Sequence, residues 1–386
     1  MSTTPDLNQI VALLERGREA GWHLGAQCYV SWHGEVLLDV AVGESERGRE
    51  LRTDDLMLWY SAGKPLTVAA ILQLWDEDEL SLDDPISMYV DGWAAGKERA
   101  TIRHVLTHTG GFPMYGKRDL YGHDLSYAEA VAQIAEHPAE WEPGRAAGYH
   151  PTSGWKILGA IVEAIDGRSI DQYLAEEVLA PARCEQASLG ISLDQQAELG
   201  SSVVPVHWNG YAVPVPQADG GMRMVPYHAE EVNNQDWNIA KVEPGAGMRG
   251  PASALGRFYE SLLGHGDAIL DSRTIEVMTA VHRHGLKDGL FGRDVPWGLG
   301  VQVEFSGGTS RRAFGHSGMA TSRALADPEC GLVVVLITNT LAGFFENEQR
   351  HFEVTNAAYS SLGKAVSAIR QEATPVAPAG LLSSQR

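Results

Sequence analysis

Basic residues are in short supply: 30 Lys and Arg stand against 50 Asp and Glu, a formal charge of −20. Such an acidic surface repels phosphate backbones, so no nucleic-acid partner is expected. No apolar run reaches the ~20 residues that a bilayer-spanning helix needs, so no membrane partner is expected either. Cysteine is nearly missing. Cys28, Cys184 and Cys330 are odd in number and scattered, which suits buried thiols in a reducing compartment better than a disulfide framework. They also lack the clustering of a zinc site. Residues 1–25 show no basic stretch followed by an apolar one. They read as an amphipathic helix with Ile10, Leu13 and Leu14 at helical spacing, and the expected location is cytoplasmic. Two signatures are absent as well. Without a G-x-S-x-G elbow the alpha/beta-hydrolase route to ester cleavage is disfavoured, and without G-x-x-x-x-G-K-[ST] there is no nucleotide cradle. No cofactor and no metal are expected.

What is present is ample material for a core: 386 residues, 44% of them hydrophobic. Residues 25–42 alternate apolar and polar on both sides of His33-Gly34, a hairpin signal. Ser61 opens a long amphipathic helix in which Pro65 falls in the first turn, where a missing N–H costs little. From 77 to 290 helical patterns dominate, at 126–137, 153–166, 169–179 and 251–264. Within that stretch, 201–247 is rich in Pro, Gly, Trp and Asn and reads as an ordered loop region over the site. Strand patterns return at 300–305, 311–315, 322–326 and 332–338, followed by a helix over 345–370 and a tail from 373. Strands at both ends predict an α/β (α+β) fold: an antiparallel sheet flanked by helices, built from 1–76 and 291–386. An all-helical insertion over 77–290 would lie beside it. Pockets favour such junctions.

The chemistry concentrates at Ser61-Ala62-Gly63-Lys64. A serine hydroxyl is a poor nucleophile until a base takes its proton. Residues i and i+3 share a helix face, so Lys64 can reach Ser61. A solvated lysine is protonated and no base; burial and the positive helix end both lower its pKa. The same helix start suits the oxyanion of a tetrahedral intermediate, through the Ser61 N–H. The spacing recurs at Ser153-Gly-Trp-Lys156 and Ser361-Leu-Gly-Lys364. Only the first lies between a strand region and a long helix. The plain alternative is that Ser61 is a helix cap and Lys64 a solvated first-turn residue. His104 and His108 have a spacing that can hold zinc, but no H-E-x-x-H accompanies them, and a hydrogen-bonded structural role is expected.

Several further stretches resemble the serine beta-lactamase and penicillin-recognising superfamily, in the class C-like branch that includes esterases and transacylases. They are TIRHVLTHTGGFP (101–113), WEPGRAAGYH (141–150), GWKILGAIVEAIDGRSIDQYLAEEVLAPA (154–182), GAGMRGPASALGRFYESLL (245–263), WGLGV (297–301), FGHSGM (314–319) and DPECGLVVVLITN (327–339). The resemblance spans about 20–365. It implies that Ser61 is the acylated nucleophile, Lys64 its partner, and Tyr149 the tyrosine of the second motif. Lys64 would lower the phenol's pKa so that it accepts the serine proton. His316-Ser317-Gly318 takes the place of K-T-G, and Met319 supplies the second oxyanion N–H beside that of Ser61. His316, Ser317, Gly318, His150, Trp237 and Arg323 are candidate substrate-binding residues, and Trp208 and Trp297 candidate pocket walls. Pro151 replaces the asparagine of Y-x-N, and His316 the lysine of K-T-G. Both departures point away from lactam and peptide substrates. The expected function is a serine hydrolase cleaving carboxylic esters through acyl-Ser61, acting on a small-molecule acyl ester or amide. The alternatives are a transacylase, a beta-lactamase or D-aminopeptidase, and an inactive binding homologue.

Overall fold

His33 and Gly34 turn the chain with φ of 49° and 77°, the pair of positive values that a tight two-residue hairpin of the right twist requires. The computed structural model describes residues 7–112, 125–216, 222–305 and 308–363. The turn joins β1 (Gly25–Trp32) to β2 (Glu35–Glu46), and β3 (Arg49–Glu50) follows. The later strands are β4 (Gln302–Val303), β5 (Phe314–Ser317), β6 (Ser322–Asp327) and β7 (Leu332–Thr338). They form one antiparallel sheet of order β4-β5-β6-β7-β1-β2-β3, so the two ends of the chain meet where β7 pairs with β1.

The principal helices are α1 (Asn8–Glu19), α2 (Lys64–Asp76), α3 (Ser153–Asp166), α4 (Ala252–Leu262) and α5 (Phe344–Ser361). β7 reads Leu-Val-Val-Val-Leu-Ile-Thr without a polar break because both of its faces are covered. Val333, Val335 and Ile337 join the core that holds α2 and α4. Leu332, Val334 and Leu336 join the core under α1 and α5, with Ile10, Leu14 and Tyr359. α2 is buried almost all round, from Lys64 to Leu72 without interruption. It is the central helix of the molecule rather than an amphipathic surface one.

Three expectations need correction. The strand expected over 311–315 lies instead at Phe314–Ser317, because Ser310 is drawn into a turn around Asp327. The insertion is mainly, not wholly, helical. Its Met248–Gly250 and Ser188–Leu189 form a small sheet with Met57–Leu58 of the N-terminal segment. The stretch 201–247 carries a hairpin, Ala212–Pro216 with Met222–Pro226, and a strand His207–Asn209 that runs parallel to Thr340–Ala342. Prolines interrupt the alternation there, so the sequence alone reads as loop. Lys364 and the tail from 373 lie outside the described residues. Cys28, Cys184 and Cys330 are all buried free thiols. Among the described residues no helix is long and apolar enough to cross a membrane.

Candidate active site

One turn of 3-10 helix, Tyr60–Gly63, precedes α2 and carries Ser61. Tyr60 enters it with φ 49°, a left-handed value that costs a non-glycine residue about 1–3 kcal/mol. The surroundings hold it there. Trp59 donates its amide to Met248 and its indole N–H to Gly250 (2.9 and 2.8 Å), and its carbonyl accepts from Ser322 Oγ (2.6 Å). The Tyr60 hydroxyl accepts from Asn233 (2.7 Å). The turn thereby points Ser61 away from the helix core, and Ser61 stays partly exposed while its neighbours are buried.

Lys64 is fully buried. Its Nζ lies 3.0 Å from Ser61 Oγ, 2.6 Å from the Pro151 carbonyl and 2.5 Å from the Gly245 carbonyl. Burial drives its pKa well below the ordinary lysine value. Its hydrogen-bond partners are two carbonyls and a hydroxyl, all uncharged, so nothing in that shell offsets the desolvation of an ammonium as a carboxylate would, and the neutral amine is favoured. Its two N–H bonds then serve the two carbonyls, and its lone pair is left for Ser61.

Tyr149 reaches the site from a loop rather than from a helix or strand. Its hydroxyl is hydrogen-bonded with the Ser61 side chain, and its ring centre lies 5.4 Å from Lys64 Nζ. The expected lowering of its pKa does not occur. Burial pushes the phenol above its usual value, the Ser61 hydrogen bond opposes this in part, and the Asp288 carboxylate adds to the rise. The reason is that Lys64 is itself driven neutral and offers little positive charge. Trp297 stacks on Tyr149 (5.9 Å, 28°), as the sequence suggested for a pocket wall, and Phe291 adds a second, more exposed wall at 5.4 Å.

His316, on β5, faces the same space, with its ring 6.0 Å from Tyr149 and 5.5 Å from Trp297. Nδ1 lies 2.8 Å from the Ser317 carbonyl, which fixes the proton on that nitrogen. Nε2 is then a buried lone pair with no partner among the described residues. Burial lowers the His316 pKa to about 3. The strand's alternation turns Ser317 the other way. Its hydroxyl accepts from Arg323 (3.0 Å), and Arg323 forks onto Glu348 of α5 at 3.0 and 3.1 Å. Ser317 and Arg323 thus lie on the α5 face of the sheet and are not brought to Ser61.

Gly318 is required by a close approach: a Cβ there would stand 2.3 Å from the Trp59 carbonyl and 2.1 Å from Ser322 Oγ. This seats the end of β5 against the nucleophile turn and places Met319 beside it. Met319 packs against the small apolar cluster that includes Leu58, Tyr60 and Leu341. Among the described residues, neither the Ser61 nor the Met319 N–H donates to a backbone carbonyl.

Two further candidates land elsewhere. His150 is fully buried against Phe112, Trp141 and His108, and burial lowers its pKa to about 3. Trp237 is 39% exposed on the short helix Asp236–Ile239. His104 and His108 share no partner: His104 caps its helix through Thr101, while His108 lies among Tyr149, Trp155 and Trp297. The sequence reading missed Arg283 and Asp288. This buried pair (3.1 Å) sits behind Tyr149, and Asp288 Oδ1 accepts from the amides of Tyr149, Leu290 and Phe291. Such a pairing is made only in three dimensions. The one local trace is the Asp-Gly turn at 288–289.

The chain is similar over most of its length to proteins with known names. It is 28% identical over 360 residues to "Esterase EstB" of Burkholderia gladioli, covering 82% of this chain and 86% of that protein. Its fold matches the "Crystal structure of a family VIII carboxylesterase" with a TM-score of 0.79 at 24% identity, covering 92% and 97% of the two chains. It also matches "EstCE1, a hydrolase with promiscuous acyltransferase activity" with a TM-score of 0.75 at 20% identity, covering 91% and 98%. The model of the beta-lactamase family matches residues 10–358. The chain therefore belongs to the beta-lactamase family, and by that membership is a serine hydrolase.

Proposed function

We propose that this protein is a carboxylesterase that works through an acyl-Ser61 intermediate. The observation that carries the reading is the threefold environment of Lys64 Nζ, with two carbonyls and the Ser61 hydroxyl as its partners. Ser61 Oγ attacks the ester carbonyl carbon as its proton passes to Lys64. The carbonyl oxygen takes up the negative charge between the N–H groups of Ser61 and Met319. One such donor is worth about 3 kcal/mol in the barrier. As the intermediate collapses the C–O bond breaks, and the leaving alkoxide takes a proton from Lys64 through the Tyr149 hydroxyl. Water then repeats the sequence on the acyl-enzyme and frees the acid. Tyr149 acts in its neutral form, as a proton carrier rather than a phenolate base.

The surroundings favour an uncharged ester over a carboxylate-bearing lactam. Arg323 is paired with Glu348, and Arg283 with Asp288. His316 presents a lone pair where a carboxylate would need a cation. The similarity to a hydrolase with promiscuous acyltransferase activity supports a second reading, in which an alcohol or amine replaces water as acceptor. Both are tested with p-nitrophenyl esters of graded acyl length, with and without added alcohols and amines. Mass spectrometry should locate an acyl adduct on Ser61. Product partitioning then separates water from other acceptors, and capture by water alone ends the transfer reading. Nitrocefin should turn over weakly or not at all; rapid turnover would contradict the substrate preference.

A further inference from the structure

Tyr149 must keep its hydroxyl on Ser61, yet no helix or strand fixes its backbone. Misplacement by 1 Å can cost about 10²-fold in rate. Three consecutive amides answer the need. Gly148 N–H donates to the carbonyl of His108 (3.0 Å), Tyr149 N–H to Asp288 Oδ1 (3.3 Å) and His150 N–H to His108 Nδ1 (3.0 Å). The His108 ring also packs on the Tyr149 ring, with centres 4.6 Å apart. One residue thus grips the tyrosine from both flanks and across its face. His108 itself is held in a left-handed conformation, φ 56°. Its ring stacks on Trp155 (5.0 Å, 24°) and meets Trp297 edge-on (4.7 Å).

We propose that His108 is the positioning residue for Tyr149, clamping its loop through the backbone carbonyl and Nδ1 so that the phenol stays on Ser61. The inference rests on the acyl-Ser61 reading above. For Nδ1 to accept, the ring must be neutral with its proton on Nε2. Burial, with neighbouring His150 and Arg283, keeps the His108 pKa well below its usual value and preserves that form. Strain at φ 56° is the kind of local cost that persists where surroundings over-determine a geometry.

Asparagine tolerates a left-handed backbone and carries an acceptor oxygen near the position of Nδ1. His108→Asn should therefore hold kcat for p-nitrophenyl acetate within ~3-fold. Glycine also tolerates the backbone but leaves the His150 amide unmet. His108→Gly should lose ~30-fold or more in kcat with KM little changed, following the misplacement cost. The discriminating readout is a double-mutant cycle with Tyr149→Phe. With the phenol gone, His108→Gly should cost less than ~3-fold further. An equal loss in both backgrounds would show general structural damage and overturn the proposal. So would a folded His108→Asn enzyme as impaired as the glycine variant. If the glycine variant does not fold, His108→Asn alone decides: folded and active supports the clamp, folded and inactive overturns it. Fluorophosphonate labelling of Ser61 in the unaltered enzyme is measured first. Failure there would sink the acyl-Ser61 reading itself, separately from the clamp.

Discussion

The chain presents the same four-residue spacing at two helix starts, Ser61 to Lys64 ahead of α2 and Ser153 to Lys156 in α3. Both lysines are buried, and burial pushes the Lys64 pKa well below the usual range. The partners differ. Lys64 Nζ faces a hydroxyl and two carbonyls. Lys156 forms an ion pair with Glu243, two residues before the Gly245 whose carbonyl binds Lys64. The serines differ too. Ser61 stands on a strained turn and is partly exposed, whereas Ser153 is fully buried inside the first turn of α3. Spacing therefore brings an amine to a hydroxyl, but the other neighbours of the amine decide whether it is a base or half of an ion pair. The Glu243 backbone carbonyl accepts from the amides of Ala246 and Gly247, closing the turn that carries Gly245.

The sharpest way to break this comparison is to delete each hydroxyl. Ser61→Ala should lower ester turnover by at least ~10³-fold, in the range seen when a serine nucleophile is removed. Ser153→Ala should leave it within ~2-fold, as substitutions away from the reacting atoms do. Equal losses would void the distinction. Next come the amines and the phenol. Lys64→Ala and Tyr149→Phe should each cost at least ~100-fold in kcat, the scale of lost acid–base assistance. Lys156→Met should cost less than ~10-fold in kcat but up to about 3 kcal/mol of stability in urea unfolding, because Glu243 loses its partner. A Lys156 variant as inactive as the Lys64 variant would merge the two sites.

Acid should expose a smaller difference. Burial lowers His23, His150 and His316 to about 3, and His108 and His351 well below normal. These folded-state pKa values lie under the unfolded value near 6.5, so the unfolded chain binds more protons in between. Stability is then lost as pH falls from 6.5 toward 3. Each such histidine contributes up to about 1.4 kcal/mol per pH unit. Urea midpoints should fall between pH 7 and pH 5, and less steeply in His316→Gln. His316 flanks the first serine and is not among the groups that perturb Lys156. A flat profile would contradict the buried-neutral assignment.

Much of the sheet was legible because its pattern is local. β7 and the His33-Gly34 hairpin follow from continuous apolar runs and alternation. Ser61, Lys64 and Tyr149 were found through short motifs and the family resemblance, and they converge in space. What sequence could not supply was orientation. Ser317 and Arg323 sit on adjacent strands close to the motif, but the pleat turns them to the α5 face. Nor could it supply protonation, since the state of Tyr149 depends on burial and on Lys64 being neutral. The hairpin at 212–226 was hidden by prolines, whose ring disguises strand alternation.

The rate of fluorophosphonate labelling of Ser61 as a function of pH tests the central claim most directly, with Ser61→Ala as blank. If Lys64 is a neutral base in the folded protein, the rate should level off well below pH 10.5 and stay flat above its midpoint. A rate that climbs about tenfold per pH unit up to the ordinary lysine value near 10.4 would show a solvated, protonated amine and contradict the account.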